Sequence, residues 1–175
     1  MTIRKFENFT PEIDAAAFID EAAVVTGDVK ISADSSVWPM CSIRGDIHSI
    51  RIGERTNIQD GSVLHVTHDS EYAPGGHALE IGNDVTVGHN VVLHACTIED
   101  ECLIGMGAIV LDGAVVQRGA MVGAGSLVPP GKVLDSGYLW LGSPVKRARE
   151  LSDKEKAFFK YSARHYVELK DRHKI

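Results

Sequence analysis

Residues 103–128 read LIGMGAIVLDGAVVQRGAMVGAGSLV, and within them Ile104, Val110, Val116, Val122 and Val128 recur at intervals of six. A six-residue period fits neither the 3.6-residue turn of a helix nor the simple alternation of a strand, so each hexad reads as a short strand ending at a corner. Working outward, the ladder reaches back through Ile98, Leu93, Val87 and Ile81, then across a gap to Leu64, Ile58 and Ile52. It continues through Ile43, Val37, Ile31, Val25, Ile19 and Ile13, which makes eighteen rungs. Three hexads close a triangular coil, so eighteen rungs make about six coils, stacked as parallel strands roughly 4.8 Å apart. The expected fold is an all-β solenoid, a parallel β-helix of hexapeptide repeats. A β-sandwich that imitates sixes is the alternative, and the length of the ladder weighs against it. Glycines that follow rungs, as in Ile52-Gly53, Val87-Gly88 and Ile104-Gly105, read as corner residues.

The composition agrees with a narrow prism. Of 175 residues, 44% are hydrophobic but only 6% aromatic, so Val, Ile, Leu and Ala carry the apolar mass. Residues 1–134 are assigned to the β-helix. An excess of three residues interrupts its ladder near His48-Ser49-Ile50-Arg51, and a longer excess leaves the prism as an excursion loop at 69–78. Residues 135–175 form a connecting segment and a C-terminal α-helix packed on the prism. Ser152 with Glu155 fits a capping box, and Phe158, Phe159, Ser162, Tyr166 and Leu169 recur at three and four as a packing stripe. His165 and His173 read as solvated on that helix.

Eighteen Lys and Arg stand against 24 Asp and Glu, a net charge of -6, which argues against nucleic acid or an anionic membrane as partner. No run approaches the roughly 20 apolar residues of a membrane span, and the first residues lack an apolar signal core, so a cytoplasmic location is expected. Cys41, Cys96 and Cys102 are an odd set without metal spacing and read as packing residues. Gly105-Met106-Gly107 lacks the third glycine of a dinucleotide loop.

Three of the eight histidines fall at informative ladder positions. His65 follows rung Leu64 and His94 follows rung Leu93, one full coil apart, so both point outward from one face and one stacks on the other. Taking Val92 as the rung would move His94 out of phase, whereas Leu93 continues Ile81 and Val87 at six. His89 sits two places after Val87, on another face. A cyclic trimer would bring one face of each prism against a different face of its neighbour, and so deliver His89 to the other pair as a three-imidazole metal site. Scattered surface histidines are the competing reading. Arg44 follows Ile43 beneath His65, and Gln59 and Asp60 follow Ile58 beneath His89, so the same trimer would pair Arg44 with Asp60 of the next chain.

Ser42-Ile43-Arg44-Gly45-Asp46, Asn57-Ile58-Gln59-Asp60-Gly61, Leu64-His65, and Gly88-His89 with Leu93-His94 resemble the signature of γ-class carbonic anhydrases. Leu64-His65-Val66-Thr67-His68 and Tyr138-Leu139-Trp140-Leu141-Gly142-Ser143-Pro144 are similar to the YrdA-like branch of that family. The resemblance implies a left-handed β-helix, a homotrimer, and a metal at each interface held by His65, His89 and His94. Zn2+ is the implied ion, with Fe2+ or Co2+ as alternatives. The implied reaction is hydration of CO2 to bicarbonate by a metal-bound hydroxide, with Gln59 and Asn57 orienting water and substrate. Arg44 and Asp60 match an intersubunit pair supported by Asp46. The family's acid directly after the Arg-x-Asp segment is replaced by Ile47, and its glutamate-bearing loop by an excursion offering Glu71 and Asp69 beside His68. His68 and Glu71 are therefore the candidate proton relay. Hexapeptide acyltransferases share the fold, and Gly142-Ser143-Pro144-Val145-Lys146 resembles the Gly-x-Pro-Ala-Lys segment common to them and the anhydrases, with Val145 in place of the usual alanine; an acyl-CoA thioesterase relative is a further alternative. A non-catalytic metal-binding scaffold is the remaining alternative.

Overall fold

The computed structural model describes residues 2–174. Its strands pair in parallel along three faces of a triangular prism. Ile3, Val25, Ile43, Leu64, Leu93, Val110 and Val128 stack along the first face. Ile13, Ile31, Ile52, Ile81, Ile98, Val116 and Leu134 form the second. Ile19, Val37, Ile58, Val87, Ile104, Val122 and Trp140 form the third. All eighteen rungs read from the ladder are in place, and Ile3, Leu134 and Trp140 extend it at both ends. Val145–Glu150 then runs antiparallel to Tyr138–Gly142 and closes the third face. The third face thus counts eight strands and the other two seven each, against the six coils expected from eighteen rungs.

The prism is a left-handed parallel β-helix, built on corners in the left-handed backbone region. Positive φ angles fall three places after twelve of the eighteen rungs, at Asp34, Met40, Arg55, Gly61, Asp84, Asn90, Glu101, Gly107, Gly113, Gly119, Gly125 and Gly131. Where the ladder steps by five, the corner moves to Ala95, with φ 49. The glycines directly after rungs serve a different purpose from the one expected. A Cβ on Gly53 would stand 2.5 Å from the carbonyl carbon of Gly82, so close stacking of coils, not a bend, excludes a side chain there.

From Val25 to Leu134 the rungs are almost wholly buried, and each Val, Ile or Leu removed from water contributes roughly 1.5–3 kcal/mol. Cys41, Cys96 and Cys102 are buried and free, and burial pushes the Cys41 thiol to about 11 and Cys102 to about 12. They are packing residues.

The helix Asp153–His173 lies over the third face, starting at a capping box in which Ser152 and Glu155 bond each other's backbone N–H. It buries Phe159, Ser162, Ala163 and Lys170. Phe158 departs from the expected packing stripe, because helical spacing turns it away from the prism and leaves it exposed. His173 is also not simply solvated, since its ring lies 5.1 Å from Trp38 and 5.9 Å from Phe18. Among the described residues no helix is long and apolar enough to cross a membrane.

Candidate metal centre

On the first face the pairing of Val63–His65 with Val92–His94 sets His65 directly opposite His94. Leu93 is fully buried and Val92 points outward, so Leu93 is the rung. The Nδ1 of His65 lies 3.2 Å from Nε2 of His94. Each imidazole is held on its far side by a carboxylate. Asp112 Oδ1 is 2.7 Å from Nδ1 of His94, and the Thr67 hydroxyl donates to the other Asp112 oxygen. Asp46 Oδ1 is 3.1 Å from Nε2 of His65, and the Arg44 guanidinium donates to the other Asp46 oxygen.

The three-residue excess is what brings Asp46 there. Gly27 pairs with Gly45 and Val29 with Ile50, so a single residue on one strand faces four on the other, and the bulge re-aims Asp46 toward His65. The electrostatics follow from these contacts. Burial lowers the pKa of His65, with the Arg44 charge acting in the same direction and Asp46 opposing it. The imidazole is thereby kept neutral with a lone pair to offer. Burial would raise both carboxyls, but Arg44 and His65 hold Asp46 below its ordinary value, and Thr67 and His94 do so for Asp112.

Two imidazoles with one nitrogen of each facing the other, and carboxylates fixing their orientation from behind, suit a divalent transition ion. Among the described residues no three His, Cys, Asp or Glu side chains converge to hold an ion.

His89 is on the third face, its Nδ1 2.9 Å from Asp60 Oδ2 one coil below. Asn57 and Gln59 are buried on the same face, Asn57 directly beneath Thr86. Gln59 Nε2 donates to Asn57 Oδ1 at 3.0 Å, and Asn57 Nδ2 donates to Thr86 Oγ1 at 3.1 Å. Thr86 in turn lies 2.9 Å from the Ser162 hydroxyl of the helix. Arg44 is paired within its own chain to Asp46, apart from Asp60. His68 and Glu71 are exposed on the excursion, whose base is closed by backbone bonds between Thr67 and His77. Thr67 and Asp112 are the site residues that sequence reasoning missed. Their ladder phase carries the signal, since Asp112 stands two places after rung Val110, one coil above the His94 strand.

Stacked hexads closing into three parallel faces define a hexapeptide-repeat β-helix protein. Comparison with models of known protein families gives no match. The sequence is 56% identical to YrdA of Escherichia coli over 169 residues, 97% of this chain and 92% of that protein. It is 42% identical to a carbonic anhydrase of Geobacillus kaustophilus, over 95% of this chain and 87% of the relative. The solved structure of a hexapeptide transferase family protein from Anaplasma phagocytophilum matches with a TM-score of 0.90 at 38% identity, covering 99% of this chain and 98% of its own. The chain belongs to the γ-carbonic-anhydrase-like family, in its YrdA-like branch.

Proposed function

We propose that the protein is a metal-dependent enzyme hydrating CO2 to bicarbonate, working as a cytoplasmic homotrimer with Zn2+, Fe2+ or Co2+ at each subunit interface. The observation that carries this reading is the His65 and His94 pair, in register, with nitrogens 3.2 Å apart and each ring anchored by a carboxylate. It is two thirds of a three-histidine site, and the aliphatic side chains around it, Val63 and Ile109, are exposed. His89 of a neighbouring chain would supply the third donor, and Arg44 would reach Asp60 of that chain. A bound divalent ion acts as a Lewis acid that lowers the pKa of water to about 7.

The chain's own residues do the positioning. Asp46 and Asp112 fix which nitrogen of each ring faces the ion. Gln59 gives its amide hydrogen to Asn57 and offers its carbonyl oxygen to orient water beside the substrate. Exposed His68 and Glu71 would pass the released proton to solvent.

The reading is tested by metal analysis of untagged protein together with stopped-flow CO2 hydration on zinc-loaded and anaerobically iron-loaded samples. One ion per chain and a rate above buffer are expected. Much less than one ion sinks the site, and metal without a rate moves the protein to a binding scaffold. His89→Ala should lower metal content as far as His65→Ala does, and full retention would rule out a site shared between chains.

A further inference from the structure

Between the C-terminal helix and the third face lies a row of four buried polar side chains that packing alone does not require. The helix turns Phe159, Ser162, Ala163 and Lys170 inward, and alanine at 162 would suit the helix better than serine, being the stronger helix former. Ser162 is buried nonetheless, with its hydroxyl 2.9 Å from Thr86 Oγ1. Thr86 Oγ1 also receives Asn57 Nδ2 at 3.1 Å, and Asn57 Oδ1 receives Gln59 Nε2 at 3.0 Å. Gln59 ends the row next to Asp60, which holds His89.

Each donor in the row has an assignable direction. Asn57 Nδ2 lies 3.3 Å from the Val85 carbonyl, which can only accept, so the nitrogen of that amide belongs on the Val85 side and its oxygen on the side of Gln59. The Thr86 oxygen then receives a hydrogen from Asn57, and its own hydrogen must go elsewhere. Ser162 Oγ is the atom placed to accept it. Gln59, having given a hydrogen to Asn57, keeps Oε1 as the acceptor at the open end of the row.

We infer that Ser162 is a positioning residue of the metal centre: by accepting the Thr86 hydrogen it fixes the sense of the Asn57 amide, and through it the end of Gln59 that faces water and substrate. The consequence for catalysis rests on the hydration reading, whereas the order of hydrogen bonds does not. Without the Ser162 oxygen the buried Thr86 hydroxyl holds a hydrogen and lacks an acceptor, and a buried group left unpaired costs more than its bond contributes when made. Donating to Asn57 Oδ1 satisfies it, but only if the amide turns over. Asn57 Nδ2 then faces Gln59, which must answer with Oε1 and turn its NH2 outward in place of an acceptor. Val85 opposes this turn by setting its carbonyl against Oδ1, so the two senses compete and both are populated. Removing the Thr86 hydroxyl as well takes away the competing donor and leaves Val85 to restore the original sense. Two deletions should therefore do less harm than one, whereas a purely structural role gives the opposite order.

The test uses protein labelled with nitrogen-15 at asparagine and glutamine, the Asn57 signal being the one lost in Asn57→Asp. The parent should show nuclear Overhauser contacts from the Asn57 amide hydrogens to the Thr86 methyl. Ser162→Ala should weaken those contacts and split or broaden the Asn57 and Gln59 signals. Thr86→Val combined with Ser162→Ala should return a single set of signals, with contacts to the methyls at position 86. In stopped-flow CO2 hydration Ser162→Ala should lower kcat about tenfold at unchanged zinc per chain, and the double variant should recover most of the loss. Unchanged helix content by circular dichroism checks folding. Parent-like amide signals in Ser162→Ala, or a double variant more impaired than the single one, overturn the positioning role. A parent without hydration activity whose amide signals behave as described sinks the hydration reading and keeps the positioning role, whereas an active parent whose Ser162→Ala variant keeps both rate and signals does the reverse.

Discussion

The first face of the prism turns Val63, Val92, Ile109 and Leu127 outward, whereas the third turns Ser36, Asn57 and Thr86 outward and buries them beneath the helix. Both faces rest on the same kind of rung. What differs is the residue just before the rung: on the lower coils of the third face it is small and polar, and on the upper coils Leu103, Met121 and Leu139 pack with Phe159 of the helix. Small polar side chains allow the helix to approach closely, and their hydrogen bonds run from Gln59 through Asn57 and Thr86 to Ser162. Aliphatic side chains on the first face have no such cover within the chain, and the histidines lie among them. One face is covered by the helix, and the other leaves Val63 and Ile109 exposed.

Lys170→Ala should break the covered face with the largest effect. The side chain is 1% exposed, bonded to Asp171 at 2.6 Å and paired with Asp34 at 3.0 Å, so its removal, which empties the space of a fully buried stem, should cost about 2–3 kcal/mol in chemical denaturation. Lys170→Met, which keeps the packed stem, should recover part of that loss. Burial alone disfavours the charge, but Asp171 and Asp34 outweigh it and hold the pKa above its ordinary 10.5. The raised value means that this stabilisation is present below about pH 10.5 and is lost as pH rises through the folded pKa. Zinc affinity should be unchanged by Lys170→Met if the two faces are independent within one chain.

Asp112→Ala probes the uncovered face. It frees the far nitrogen of His94 and should weaken zinc binding about 10- to 100-fold by titration calorimetry, with little change in denaturation midpoint. A large loss of stability with unchanged affinity would make Asp112 a structural residue instead. The smallest effect is expected from Glu155→Gln at the start of the helix. Arg149 and then Ser152 hold the Glu155 carboxyl down to about 2, below its ordinary 4.5. Its contribution is therefore present above pH 4.5 and lost as pH falls toward 2. The difference in melting temperature between Glu155→Gln and the parent should be small at neutral pH and vanish in acid.

Much of this comparison is legible in the order of residues. A hexad repeat places rungs by counting alone, because each strand touches only the coils above and below it. Counting sufficed to stack His65 on His94 and to put His89 over Asp60, and it located the helix from its capping box. It failed where a contact depends on the exact path of the chain. The excess at 46–49 shows that the strand departs from register, but not that the bulge aims Asp46 at His65. Glycines after rungs look like bends until the neighbouring coil is in place, when steric crowding explains them better. Phe158 and Phe159 are adjacent and equally apolar, and only the docked helix separates a core residue from an exposed one.

The sequence by itself determined the prism, its three faces and the shared column of two histidines, since all of these follow from local periodicity repeated many times. Only the tertiary structure decided which carboxylates hold those histidines, that Thr67 and Asp112 join them, and which face the helix covers. Those contacts join residues far apart in the chain, Thr86 with Ser162 and Asp34 with Lys170 among them, and depend on where a bulge and a helix lie rather than on any repeat.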